Sequence, residues 1–460
     1  MFRITKVEIG GFWGKYRAAT DLYPDVNIII GRNGSGKTTF MDLLQGVLRV
    51  DLRILTSLDF ESITASLVSF KDKTETQTIT ATKRSGDNVS PELIDFQVGS
   101  QTYTLPVYPR DLFEDSYVPR RRMRTPRLEE EYSRLKQEID RLINIASLSV
   151  HRAAYETVYD EEEYAARRRP RQPAIDQRLE ELVRRLTSYQ LTLAERANQI
   201  STTFQRGVLA SMLYDEKFDT FDPSNTRAAE LDKEKDALSR AYSELGVLDN
   251  SVADRIDKHI AVLNRSLSAL QQFRSQVQAK DDALEEGERE DGRGVVEIND
   301  IMPLPLLKRT QHIIDLSFQA QNQKQDVFQP IEKFVQIVGS FIDDKEVRID
   351  PNGDLTIQKG RKRIAITDLS SGEKQLLILL IETLLQKNEP FIFLADEPEL
   401  SLHIEWQAKI IASIRELNPL SQIIVATHSP EIAGGWRDDV IDMEDIIHAQ
   451  GQLGLLDSSM

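Results

Sequence analysis

The octapeptide Gly31-Arg32-Asn33-Gly34-Ser35-Gly36-Lys37-Thr38 restricts this chain more than any other feature. It fits G-x-x-x-x-G-K-[ST], a phosphate-cradling loop that works only between a buried strand and the start of a helix. Both flanks agree: the β-branched run 26–30 reads as a strand, and Phe40-Met41-Asp42-Leu43-Leu44 as a helix. The glycines let the backbone curl so that N–H groups from Asn33 to Thr39 point at phosphate oxygens, with a helix N-terminus behind them. Lys37 is expected to reach the β- and γ-phosphates of a nucleotide, and the Thr38 hydroxyl to ligate Mg2+.

The 460 residues are enough for about three domains. The chain has no cysteine, which excludes disulfides and Cys-ligated zinc and suits a reducing cytosol. No N-terminal apolar segment resembles a signal peptide, and the most apolar stretch, 376–385, is too short to span a bilayer and carries Glu382. A cytoplasmic protein with no membrane partner is therefore expected. The net charge of −16 argues against nonspecific nucleic-acid binding by the whole surface, though not by a local basic groove.

Along the chain, residues 1–50 alternate apolar and polar before the P-loop. Strand-like runs at 54–55, 66–68, 77–82 and 96–105 suggest antiparallel pairing, and 142–150 another core strand. The middle is different. Ile175, Leu179, Leu182, Leu186, Tyr189, Leu193 and Ile200 recur at alternating spacings of four and three. After Asp222-Pro223-Ser224, Leu231, Leu238, Leu245 and Val252 recur every seven residues, followed by Ile256, Ile260, Leu263, Leu267 and Leu270. Two such segments suggest an antiparallel coiled-coil hairpin; a compact bundle is the alternative, since Gly246 and Asp249-Asn250 can break the second arm. The acidic run 281–291 reads as a solvated linker. The Arg-rich segments 120–127 and 167–171 are either flexible connectors or an electropositive lining for nucleic acid or an acidic partner.

Three motifs follow near the C-terminus. Leu369-Ser370-Ser371-Gly372-Glu373 precedes an apolar helical run; the strand 391–395 ends in Asp396-Glu397-Pro398; the strand 423–426 ends in Thr427-His428-Ser429. A carboxylate ending the strand beside the P-loop can hold Mg2+, which assigns Asp396. The next carboxylate, Glu397, can orient water and accept its proton, and an imidazole at the following strand end, His428, can reach the γ-phosphate and that water. Ser370, Ser371 and Gly372 offer hydroxyls and N–H groups at a helix start. Lys15, Tyr16 and Arg17 either touch the nucleotide or form a plain surface turn.

Taken together, these motifs resemble the ATP-binding-cassette class of ATPase. The resemblance implies ATP and Mg2+ as cofactors and a signature loop, 369–373, that covers the γ-phosphate of an opposite subunit, so that ATP joins two heads. It also implies an α/β fold: a P-loop head of mixed sheet and helices with an antiparallel β subdomain, split by the helical insertion. Residues 1–165 and 301–460 are expected to supply the two parts of the head, and 166–300 the insertion. More than 300 residues separate Lys37 from the signature, as in the SMC/RecF/OLD branch. Residues 27–39, 368–375 and 397–403 look most like OLD-type ATPases. OLD nucleases carry a C-terminal Toprim domain, whereas about thirty residues follow His428, too few for one. The chain therefore resembles the ATPase partner of two-component antiphage systems, that of PARIS first and of Septu next. Such an ATPase would be a sensor or scaffold controlling a separate effector, a Toprim or HNH nuclease, and triggered by a phage protein or nucleic acid. The alternative is a RecF- or SMC-like DNA-repair or chromosome-maintenance ATPase that binds DNA directly.

Overall fold

In the computed structural model, residues 1–84, 92–107, 126–149, 173–215, 231–286, 302–350 and 352–449 are described. They form two compact units, Met1–Tyr189 with Pro330–Met460, and Gln190–Gln329.

The first unit is built on two large sheets. The parallel one contains β3 (Val26–Ile30), β8 (Ile145–Ser149), β12 (Phe391–Asp396), β13 (Ser421–Ala426) and β14 (Val440–Asp442), in the order β14-β3-β13-β12-β8. Strands covered on both faces read as unbroken apolar runs, which is why Val26–Ile30, Phe391–Asp396 and Ser421–Ala426 are nearly uniform in burial. The antiparallel sheet runs β15-β2-β1-β4-β5-β6-β7. It is made of β1 (Phe2–Phe12), β2 (Tyr16–Asp21), β4 (Ser62–Ser69), β5 (Thr76–Arg84), β6 (Glu92–Val98), β7 (Gln101–Val107) and β15 (Ile447–Ala449). A small sheet joins β9 (Glu346–Ile349), β10 (Leu355–Lys359) and β11 (Lys362–Ile364).

Helix α1 (Lys37–Arg49) buries Phe40, Leu43, Leu44 and Val47 in a core shared with Ile4, Val7 and Ile9 of β1 and with Ile29, Ile392 and Ile424 of the parallel sheet. Each such side chain is worth about 1.5–3 kcal/mol of burial. The helix that opens with the nucleotide loop is thus anchored to both sheets. Polar side chains join the sheets as well. Gln422 of β13 is fully buried: its Oε1 accepts the Ile4 N–H at 2.8 Å, and its Nε2 donates to the carbonyls of Ile4 at 2.6 Å and Tyr23 at 2.9 Å.

Several expectations change here. Ile54-Leu55 is not a strand but part of α2 (Leu52–Ser57), whose N-cap Asp51 accepts the Arg53 N–H; a two-residue apolar run carries no period, and the cap decides it. The run 96–105 is two strands, β6 and β7, reversing at Gly99, whose φ of 57° suits a tight turn. The P-loop strand lies between β14 and β13, which leads to His428; the Asp396 strand lies one place further out. Helix α3 (Pro126–Leu142), with Leu135 and Ile139 in the core, precedes β8. The Arg-rich segment 167–171 and most of 120–127 lie outside the described residues.

The seam from Ile175 to Ile200 falls on α4 (Ala174–Ala210), which buries Leu179, Leu182, Leu186, Tyr189 and Leu193. The second seam is divided: α5 (Leu231–Glu244) and α6 (Asn250–Glu286) flank Gly246 at φ 72°. A long helix, α7 (Leu304–Phe341), joins them. Within the second unit, Phe204 and Val208 of α4 pack with Ala241 of α5 and Ala320 of α7. Leu238 of α5, Ile256 and Ile260 of α6 and Ile313 and Ile314 of α7 form a neighbouring cluster. Among its described residues this unit is therefore a bundle of four helical segments, because the left-handed glycine at 246 lets the heptad run fold back on itself.

Candidate functional site

At the carboxyl end of β3 the chain curls through Gly34 (φ 79°) and Gly36 (φ 97°) into α1. A Cβ on Gly36 would meet the Trp13 and Phe12 rings at 2.8 and 3.0 Å, whereas space at Gly34 is open. No side chain caps α1, so its first N–H groups are available to a ligand. The Ser35 hydroxyl is buried without a hydrogen-bond partner. Lys37 is buried, and its Nζ donates to the carbonyls of Gly31 at 2.9 Å and Arg32 at 3.2 Å. Burial pulls its pKa down, against the opposing pull of the carboxylates of Glu397, Asp396, Glu399 and Asp442. Thr38 is exposed beside it. An open cleft of about 380 Å³ runs along Arg32, Asn33, Gly34 and Ser35 to Glu444 and Ile447. A glycine cradle, an orphan buried hydroxyl and a buried ammonium fit a polyphosphate.

Asp396 ends β12. Glu397 follows in the left-handed region (φ 48°), uncommon for a residue with a side chain, and its N–H donates to the Ala426 carbonyl at 2.8 Å. His428 leaves β13 so that its Nε2 lies 3.8 Å from Glu397 Oε1, with both side chains partly exposed. Strand order thus brings Lys37, Asp396, Glu397 and His428 to one edge of one sheet, as the sequence suggests. Thr38, Asp396 and Glu397 offer hard oxygen donors, the chemistry that suits Mg2+. Among the described residues no group of three or more carboxylates and histidines could hold a metal alone; Mg2+ ordinarily takes one or two carboxylates and completes its shell from phosphate and water.

Ser370, Ser371 and Gly372 stand at the start of α8 (Ser371–Leu384). Ser370 is its N-cap in a capping box with Glu373: Ser370 N–H donates to Glu373 Oε2 at 2.9 Å, and Ser370 Oγ accepts the Glu373 N–H at 3.3 Å. Lys345 pairs with the same carboxylate. Burial raises the Glu373 pKa, but Lys345 and the Ser370 donors outweigh it and hold the carboxyl below the ordinary glutamate range. A Cβ on Gly372 would overlap the Ser401 carbonyl oxygen, so the signature glycine is in contact with the turn after β12. Two ion pairs hold α8 to α4: the buried pair Lys374 with Asp176 at 2.7 Å, and buried Glu382 with the partly exposed Arg178.

Sequence reasoning missed three residues. Asp442 ends a three-residue strand, too short to see. Trp13 packs on Gly36, with Tyr16 edge-on to it at 6.3 Å. Glu399 lies within the segment 397–403, whose resemblance gives it no task. Of the upstream turn, Arg17 pairs with Glu8 at 2.9 Å.

A phosphate cradle, a lysine, two carboxylates and a histidine at one end of a parallel sheet define a P-loop ATPase site. The model of the AAA ATPase domain family matches residues 2–433, and the chain belongs to that family. Among curated proteins it is similar to the Retron Vc95 probable ATPase of Vibrio cholerae serotype O1 biovar El Tor, 33% identical over 111 residues, 22% of either chain. It is also similar to the Retron Ec83 probable ATPase of Escherichia coli, 37% identical over 90 residues, 17% of either chain. The matches span about a fifth of the length of these relatives. Among solved structures, the Smc head domain of Pyrococcus furiosus with an extended coiled coil, bound to the C-terminal domain of ScpA, aligns at TM-score 0.41 and 14% identity over 96% of this chain and 93% of that one. The SMC head domain of Thermotoga maritima aligns at TM-score 0.36 and 13% identity, over 94% and 92%. No helix among the described residues is long and apolar enough to cross a membrane.

Proposed function

We propose that the protein binds ATP with Mg2+ on the 31–39 loop and hydrolyses it, and that two heads close over the bound nucleotide. The observation that carries this reading is the convergence of buried Lys37, Asp396, Glu397 and His428 at one sheet edge. Lys37 gives the β/γ-phosphates a point charge that already costs desolvation in the free chain. Asn33 to Thr39 present N–H groups and hydroxyls, and Thr38 and Asp396 hold the ion. Bound Mg2+ would neutralise charge on the β- and γ-oxygens. Glu397 accepts the proton of the attacking water, and His428 holds water and γ-phosphate in register. Ser370, Ser371 and Gly372 of one head cover the γ-phosphate held by the other.

The biological task we assign is that of a prokaryotic defence ATPase, a sensor or scaffold that restrains or releases a separate effector such as a Toprim or HNH nuclease. Two relatives named as retron ATPases support it, as does the resemblance to the PARIS and Septu ATPases. Glu397→Gln should retain ATP and accumulate closed head pairs while hydrolysis falls about 10²–10⁴-fold; near-wild-type turnover removes Glu397 from the base role. Co-purification with the products of neighbouring genes, with and without ATP, tests the effector. DNA cleavage by the pure chain, lost in Glu397→Gln, would sink the separate-effector reading, and tight ATP-dependent DNA binding without a partner would favour the repair alternative.

A further inference from the structure

One carboxylate beside the site has no part in these roles. Glu399 lies in the turn after β12, closed by Leu400 N–H to Glu397 O at 3.1 Å and Leu402 N–H to Glu399 O at 2.9 Å. Its Oε1 accepts two hydrogen bonds from the turn after β13: the Thr427 hydroxyl at 2.6 Å and the His428 backbone N–H at 2.7 Å. Thr427 Oγ1 in turn accepts the Ser429 N–H at 2.9 Å. The Ser429 hydroxyl donates to Gln407 Oε1 at 2.7 Å, and Gln407 Nε2 donates back to the Leu402 carbonyl at 2.9 Å. The turns 397–402 and 427–429 are thereby closed into one ring of hydrogen bonds. Within it Glu399 is the link that accepts from both the hydroxyl and the N–H of the β13 turn. Glu399 Oε2 is buried without a hydrogen-bond partner, so a single oxygen sets the geometry.

We propose that Glu399 is a positioning residue for His428: by accepting the His428 N–H and the Thr427 hydroxyl, it fixes the turn that aims the imidazole at Glu397. The imidazole and the Glu397 carboxylate, 3.8 Å apart, then move as one piece with the end of β12. This deepens the hydrolytic reading above and rests on His428 acting in it. Positioning matters at this scale, because a shift of about 1 Å in a reacting group can cost about 100-fold in rate.

The test is a double-mutant cycle read by steady-state ATPase. Glu399→Ala should lower kcat about 10–100-fold with KM for ATP changed less than about threefold. Glu399→Gln keeps a carbonyl oxygen for both donors and should restore the rate to within about threefold of wild type. In the His428→Ala background, Glu399→Ala should add less than about twofold, since the group it aims is gone. Multiplying effects in the double variant, or full activity in Glu399→Ala beside a slow His428→Ala, overturns the proposal and leaves the site reading intact. A His428→Ala chain at wild-type rate removes both. If Glu399→Ala does not fold, Glu399→Asp, which withdraws the carboxylate by one methylene, should reproduce the kcat loss; wild-type kcat there also overturns it.

Discussion

The unit Met1–Tyr189 with Pro330–Met460 offers phosphate two helix N-termini, and they are prepared in opposite ways. Helix α1 begins at a left-handed glycine, has no side-chain cap and no acid in its first turn, and carries a buried lysine. Helix α8 begins at a serine, is closed by a capping box, and already holds the carboxylate of Glu373, itself held by Lys345. Free N–H groups and a positive helix end attract an anion; a helix start that holds its own carboxylate has met much of that demand. The lesson is one of division: α1 is built to grip a phosphate, and α8 is built to stay in shape. In the proposed head pair, α8 then reports where a phosphate is rather than holding it.

The sharpest way to break this contrast is at Lys37. Lys37→Met should weaken ATP binding by about 10²–10³-fold, as expected when one partner of a buried charge pair is lost. The free chain should melt no lower than wild type. The lysine pKa is depressed in the folded chain, so the unfolded state binds the proton more tightly. The resulting cost is fully present below that depressed folded value, fades as pH rises through it and is gone above the ordinary lysine value near 10.4. Calorimetry of the variant with and without ATP checks both halves, and a large fall in its Tm would contradict the second.

At α8 the order of effects should reverse, with stability leading. Gly372→Ala drives a methyl into the Ser401 carbonyl and should cost about 1–3 kcal/mol, the usual range for overpacking. A unit of unchanged urea midpoint would mean that the signature glycine is there for the nucleotide alone. Ser370→Ala removes the cap and should cost about 1 kcal/mol, again visible in urea without ATP. Smallest is the effect at Glu373. Its carboxyl is held below the ordinary value of about 4.3, so its stabilisation is fully present above that value and is lost as pH falls through the folded one. Glu373→Gln should therefore show a flatter stability profile between pH 5 and pH 3 than wild type, measured by denaturant titration.

Much of this site can be read from the chain alone, and the limits are physical. The loop 31–38, the strands that end in Asp396 and Ala426, and the serines before α8 announce themselves because phosphate geometry and two-sided burial leave little freedom in residue type. The order of the strands does not, since a parallel sheet of uniformly apolar strands gives no local sign of neighbours; hence the placement of β13 beside the P-loop strand was not anticipated. Glu399 was hidden for another reason: its partners lie 28 and 29 residues away, and no spacing rule links them. The helical middle shows a seam clearly and its reversal poorly, because one left-handed glycine at 246 outweighs a run of correctly spaced leucines.

The amide of Gln422 has a consequence for how this molecule tells right from wrong while it assembles. It meets Ile4 as a neighbouring strand would, giving one hydrogen bond and taking another, across 418 residues of sequence. Sliding β13 by one residue turns every side chain to the opposite face, and here it would leave that amide in the interior with nothing to answer it, a loss of about 1–3 kcal/mol for each unmet group. Apolar neighbours forgive such a slip, since one isoleucine greases a gap much like the next. A core that joins the first strand to one about 418 residues later thus carries its register check in a single side chain.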